Sequence, residues 1–128
     1  MSGVVADTSV WVDFFAGVPT PSLEEALAQG VVVLPPIVVA ELVSGARRPR
    51  ERAAIEDMLR ELPLHDTPRS HWVRVGELRR HLRAKGLSTS IPDAHVAQCA
   101  LDRDATLLVR DAIFSHIARH SALRLSAT

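Results

Sequence analysis

The stretch G3-V-V-A-D-T-S-V-W-V-D-F-F-A-G17 decides the fold. Its first residues, Gly3 to Ala6, read as a short β-strand. The run ends in an acid, Asp7, and goes straight on as a helix. Thr8 and Ser9 sit where a helix is capped, and Val10, Trp11, Phe14 and Phe15 give that helix an apolar face. A strand that delivers an acid to a helix start is the arrangement of an α/β sheet. There, side chains at the carboxyl ends of parallel strands converge on one edge, where ligands bind.

The rest of the chain keeps this alternation. Pro19 to Pro21 break the first helix, Leu23 and Leu27 mark a second, and Gly30 ends it. Val31 to Leu34 is a β-branched run expected as a strand buried on both faces, stopped by Pro35-Pro36. Ile37 to Ala46 has β-branched residues that suit a strand. Its A-E-L-V-S-G-A segment and leading proline favour a helix, and helix is the expectation. Further helices are expected over Arg50 to Glu61, from a Thr67 cap to Gly86, from Ser90 through Leu101, and over Asp111 to His120. Leu62 to His65, Thr106 to Val109 and Leu123 to Leu125 are the remaining expected strands. Asp102 and Asp104 are expected in the turn before Thr106. The order implies a mostly parallel sheet covered by helices.

With 128 residues, of which 47% are hydrophobic, the chain suits one domain with one core. The single cysteine, Cys99, rules out a disulfide framework within the chain, and a cysteine-based zinc site is excluded. A reducing cytoplasm is the expected compartment. No signal peptide is evident, and the longest apolar stretch, Val31 to Ala40, is too short to span a bilayer. The formal net charge is +0, which excludes a generally basic nucleic-acid binder. All the basic residues but Lys85 are Arg, the better phosphate partner, although a GC-rich genome gives the same bias.

Most of the acids lie where a helix surface carries solvated charge. Four do not. Asp7 ends the first strand, Glu41 sits among Val38, Val39, Leu42 and Val43, Asp93 lies in the first turn of a capped helix, and Asp111 follows the strand at 106. Each alone has an ordinary explanation as a helix cap or first-turn acid. Together they occupy matching topological positions at one sheet edge. Clustered carboxylates repel, and hard oxygen donors suit a divalent cation such as Mg²⁺ or Mn²⁺.

These residues carry a resemblance. D-T-S at 7 to 9, V-V-A-E-L-V-S-G-A at 38 to 46, I-P-D-A at 91 to 94 and A-T-L-L-V-R-D-A-I-F at 105 to 114 stand in the order and spacing of a PIN domain. The chain resembles in particular a VapC-type ribonuclease toxin of a bacterial toxin–antitoxin pair. The resemblance spans essentially the whole chain. It implies a PIN-like α/β/α sandwich over residues 1–128, with a mostly parallel sheet of four or five strands. It implies that Asp7, Glu41, Asp93 and Asp111 form an acidic metal site, with Ser9 supporting Asp7. It implies Mg²⁺- or Mn²⁺-dependent hydrolysis of RNA, a VapB-like antitoxin, a homodimer, and a hydrophobic groove that receives an antitoxin helix. One departure stands out. The family usually has Thr or Ser two residues before the last acid, and here that place holds Val109.

Several features remain beside this reading. Arg47, Arg48, Arg50 and Arg52 form one basic cluster, and Arg79, Arg80, Arg83 and Lys85 another. Either suits an RNA backbone or a plain solvated face. His116 and His120 have a metal-compatible spacing but lack a third ligand. An aspartyl-phosphate mechanism on Asp7 is disfavoured, because Ser9 stands where a second Asp is needed. The rival from another class is a PIN-like module that only binds a protein partner. Retention of all four acids argues against it.

Overall fold

The computed structural model describes residues 3–127. The quoted stretch forms β1 (Val4–Ala6) and α1 (Thr8–Phe15). There follow α2 (Pro21–Gln29), α3 (Pro36–Gly45), α4 (Pro49–Arg60), α5 (Arg69–Ala84) and α6 (Ile91–Arg103). The chain then forms β2 (Thr106–Leu108), α7 (Ile113–Arg119) and β3 (Arg124–Ser126). Four of these helices, α2, α3, α4 and α6, have proline in their first turn, where its missing N–H costs nothing. Gly30 closes α2 in the left-handed conformation (φ 69°), as its position after Gln29 requires.

The sheet is parallel in the order β1-β2-β3, with Val5 opposite Leu107 and Leu107 opposite Leu125. Val31 to Leu34 is not the full strand the sequence suggests. It joins β1 by a single parallel bridge, Val4 to Val32, and joins the Leu62–His65 segment by another, Leu34 to Leu64. The run is confined between Gly30 and two prolines, and proline has no N–H to continue a ladder. A three-stranded sheet therefore extends by two bridged segments rather than by two further strands. The fold class is as expected, α/β with a parallel sheet between helices. Val5, Ala6, Leu107 and Leu108 are buried in its centre, packed with Val10, Trp11, Val38, Ala97, Phe114 and Ile117.

Two helix boundaries differ from expectation. Thr67 does not cap α5, which starts at Arg69 with Pro68 before it and no side-chain cap. Asp111 lies outside α7, which starts two residues later. A third difference is larger. Asp104 does make the turn before β2, with φ 52°, but Asp102 is helical and faces inward.

Asp102 clasps α5 to α6. Its side chain is only 9% exposed and takes Arg74 through both carboxylate oxygens, at 2.8 and 3.0 Å. It also accepts from Gln98 Nε2 (2.8 Å), His71 Nδ1 (2.6 Å) and His65 Nε2 (3.2 Å). Burial pushes this carboxyl upward. The bonds from Arg74, His71, Gln98 and His65 more than offset that and hold it well below the usual carboxylate range. Its stabilising effect is therefore complete above the unfolded value of 3.8 and fades as pH falls toward the depressed folded value. Asp102→Asn should lower stability at pH 7 by about 3 kcal/mol, because it leaves buried donors without their anion. The difference between variant and wild type should shrink in urea melts below pH 3.8. Equal stability at pH 7 would contradict the clasp.

Candidate functional site

Asp7 stands at the carboxyl end of β1 and is 6% exposed. Its backbone N–H bonds to Leu108 O at 3.0 Å, which ties it to the end of β2. Asp7 occupies the cap position of α1, and its carbonyl receives the first helical N–H groups, but its side chain makes no cap bond. The ordinary explanation for this acid, helix capping, is therefore absent. Its carboxylate instead receives the Ser9 hydroxyl on Oδ2 at 3.2 Å.

The other three acids lie around it. Asp93 and Asp111 are close enough to Asp7 for their charges to raise its pKa. Asp93 sits in the first turn of α6, where Ser90 is the true cap and accepts from the Asp93 N–H at 3.2 Å. Asp111 is exposed on the connection after β2, and Ala112, not Asp111, precedes α7. Glu41 is exposed on α3 and accepts the Thr8 hydroxyl on Oε1 at 2.7 Å. Thr8 links Glu41 to the residue next to Asp7, a role the sequence reading did not assign. The adjacent position to the strand-end acid was the available signal.

Among the described residues, no three of these acids bring their carboxylate oxygens within 4.8 Å of one another. The donor set itself is all carboxylate, hard and oxygen-based, and it fits Mg²⁺ or Mn²⁺ better than a soft metal. Val109 places no hydroxyl near this edge. Its backbone N–H bonds Ser126 O at 3.3 Å and so continues the β2–β3 pairing.

Charged residues frame the acids. Arg110, beside Asp111, pairs with Asp13 on α1 at 2.5 Å. Arg48 and Arg50 border a groove of about 490 Å³ between α1, α3 and α4, whose wall includes Glu41, Val12, Phe15, Leu42 and Ile55. Arg79 is partly spent inside the fold, donating to Thr89 O at 2.7 Å. Arg80, Arg83 and Lys85 stay exposed. His116 is exposed, and the His120 carbonyl receives His81 Nε2 at 2.8 Å; among the described residues this pair gathers no third metal ligand.

The family model of the PIN domain matches residues 4–120. The chain belongs to the PIN domain family. The fold of this PIN domain is also that of solved complexes. VapBC2 from Rickettsia felis, bound to a DNA fragment from its promoter, superposes with a TM-score of 0.79 at 23% identity, over 98% of this chain and 98% of that one. VapBC-1 from nontypeable Haemophilus influenzae gives 0.77 at 20% identity, over 97% and 96%. VapBC-5 from Mycobacterium tuberculosis gives 0.68 at 22% identity, over 99% and 98%. At such identities the likeness is one of fold. A comparison with curated proteins found no match. No helix among the described residues is long and apolar enough to cross a membrane.

Burial is the main reason the Asp7 carboxyl is pushed up from 3.8 to about 6. The Thr8 backbone and the Ser9 hydroxyl act against the shift, and Asp111 and Asp93 add to it. The sign follows from the direction. The folded state binds the Asp7 proton more tightly than the unfolded chain, so stability falls as pH rises from about 4 to about 6. Above that range the ionised carboxylate costs about 3 kcal/mol in the metal-free protein. Asp7→Asn should therefore raise the stability of the metal-free PIN domain at pH 7.5 by a figure of this order. The gain should disappear by pH 4 in parallel thermal melts. A variant less stable than wild type at pH 7.5 would make Asp7 a structural residue.

Proposed function

We propose that this PIN domain is a divalent-metal-dependent endoribonuclease, the toxin of a toxin–antitoxin pair, acting in the cytoplasm. One observation carries the reading. Asp7 is buried at a strand end with no capping role, and its anion is disfavoured until a cation joins it. Asp93 and Asp111 share its electrostatic neighbourhood, and Glu41 is tethered through Thr8.

In this reading Asp7, Asp93, Glu41 and Asp111 hold Mg²⁺, with Mn²⁺ as a substitute. The bound cation supplies charge neutralisation at the phosphate and a lowered pKa for the attacking water. The chain's own residues do the positioning. Ser9 orients the Asp7 carboxylate, and Thr8 holds Glu41. Ser90, as the α6 cap, sets the direction in which Asp93 leaves its helix. Arg110 offers a half-exposed guanidinium beside Asp111 for a neighbouring phosphate, at the cost of its bond to Asp13. The RNA backbone thus meets cations at the rim and carboxylates at the centre.

The groove between α1, α3 and α4 suits a partner. Val12, at 53% exposed, and Phe15, Leu42 and Ile55 give it an apolar floor, and Glu41 stands at its edge. An apolar helix of a VapB-like antitoxin fits such a surface. A basic residue on that helix would reach Glu41. Trp72, Val73 and Ile91 are exposed by 43%, 52% and 44%, and we assign these apolar residues to a homodimer contact.

Protein made in a cell-free system and incubated with a pool of cellular RNA tests the proposal. Discrete cuts should appear with Mg²⁺ or Mn²⁺ and stop with chelator. Asp93→Asn should reduce them by about 100-fold or more, the scale of losing one preorganised electrostatic group. Its metal-free melting temperature should stay equal or rise, because a repelling charge has gone. A folded wild-type protein that binds Mg²⁺ but cuts no RNA would favour a module that only binds a protein partner.

A further inference from the structure

A second polar centre lies away from the acid edge, between α5, α6 and the segment before α5. His71, His95 and Cys99 are 0% exposed and His65 is 7% exposed. A nitrogen of His65, a nitrogen of His71 and Cys99 Sγ all lie within 4.8 Å of one another. Donors bonded to one metal ion stand about 3.5 Å apart, given bonds of 2.0 to 2.3 Å. The three therefore stand near the spacing that a bound ion would impose.

The surroundings prepare these donors. Asp102 is an anion and can only accept, so His65 Nε2 and His71 Nδ1 carry the protons that face it. In the neutral imidazoles the lone pairs then fall on His65 Nδ1 and His71 Nε2. His65 Nδ1 is buried without a hydrogen-bond partner, an unusual expense for a ring nitrogen. His71 Nε2 accepts from His95 Nδ1 at 2.8 Å, a bond that a metal ion would have to replace. Cys99 Sγ faces the His95 ring nitrogens at 3.7 and 4.0 Å, too far for a strong bond. A carboxylate that fixes the proton on one nitrogen and leaves the other free is the usual support of a metal-bound histidine.

Charge and softness identify the ligand class. Arg74 pairs with Asp102, so that carboxylate is already balanced within the protein. A thiolate is a soft donor and imidazole a borderline one, a set that favours closed-shell Cu⁺ or Zn²⁺ over Mg²⁺. Binding breaks the Cys99 S–H bond, forms a sulfur–metal bond and releases one proton to solvent, with no electron transferred. A thiolate balances Cu⁺ fully and leaves Zn²⁺ with one excess charge. We propose that His65, His71 and Cys99 form a buried soft-metal site for Cu⁺ or Zn²⁺, separate from the acid edge. The single cysteine excludes a cysteine-rich site, but a mixed histidine–cysteine site needs only one.

The test uses the full chain under anaerobic conditions. Cu⁺ is titrated in competition with a chromophoric Cu⁺ chelator, Zn²⁺ in a parallel arm, and Co²⁺ serves as the spectroscopic stand-in. One equivalent of Cu⁺ or Zn²⁺ should be retained, and Co²⁺ should give a thiolate-to-metal charge-transfer band. With one cysteine in the chain, that band reports Cys99 without any variant. Cys99→Ser should abolish both retention and band, and Asp7→Asn, at the acid edge, should keep both. A folded wild-type protein with no thiolate band would overturn the proposal. So would retention that is undiminished in Cys99→Ser, since the metal would then sit on the carboxylates or surface histidines.

Discussion

A carboxylate buried at the end of the central strand is the constraint around which this PIN domain is arranged. Asp7 is held by its backbone to Leu108 and by its side chain to Ser9, and α1 leaves from it directly. Moving it outward would break the β1–β2 register and the first turn of α1 together. The fold therefore accepts an unfavourable charge where a protein concerned only with stability would place an apolar side chain. Such conflicts between local stability and placement mark functional positions. Everything else at the edge is graded outward from it, through partly buried Asp93 to exposed Glu41 and Asp111.

The two polar centres share one helix. Asp93 begins α6 and Asp102 comes near its end, and the residues between them include fully buried Ala94, Ala97 and Ala100. Small side chains let α6 lie close to the sheet. The Asp102 clasp fixes it on the other side against α5. Trp72 completes that contact by stacking on His95, with ring centroids 4.7 Å apart and planes at 7°. The direction of Asp93 is thus set by packing along the whole helix and not only by the Ser90 cap.

The sequence made the strand–acid–helix unit legible because burial period and charge agree there, although Thr8 and Ser9 bond Glu41 and Asp7 and do not cap α1. The same agreement located α3, where a proline at the helix start outweighed a β-branched run. It failed for Val31 to Leu34, whose composition suits a strand but whose flanking prolines leave too few N–H groups for a ladder. Asp102 was misread for a different reason. A lone acid near a helix end resembles turn chemistry, and its partners His65, His71 and Arg74 come from another part of the chain. The local signal was there, in His95, Gln98, Cys99 and Asp102 at helical spacing on a helix otherwise rich in alanine. The acid edge was legible as a set of positions. Thr8 as the link to Glu41 was not, because a hydroxyl beside an acid has too many ordinary uses.

The pairing of β1 with β2 has a consequence for synthesis. Val4–Ala6 lies opposite Thr106–Leu108, so the first strand of the sheet finds this neighbour only after nearly all of the PIN domain has been translated. Contacts of such long sequence separation form late and slowly. Asp7 leaves the ribosome early, but the edge that gathers it with Asp93 and Asp111 cannot exist on a growing chain that lacks β2. The emerging polypeptide therefore lacks the gathered acid edge until elongation is almost over, and the shortest fragment able to assemble it is close to the whole domain.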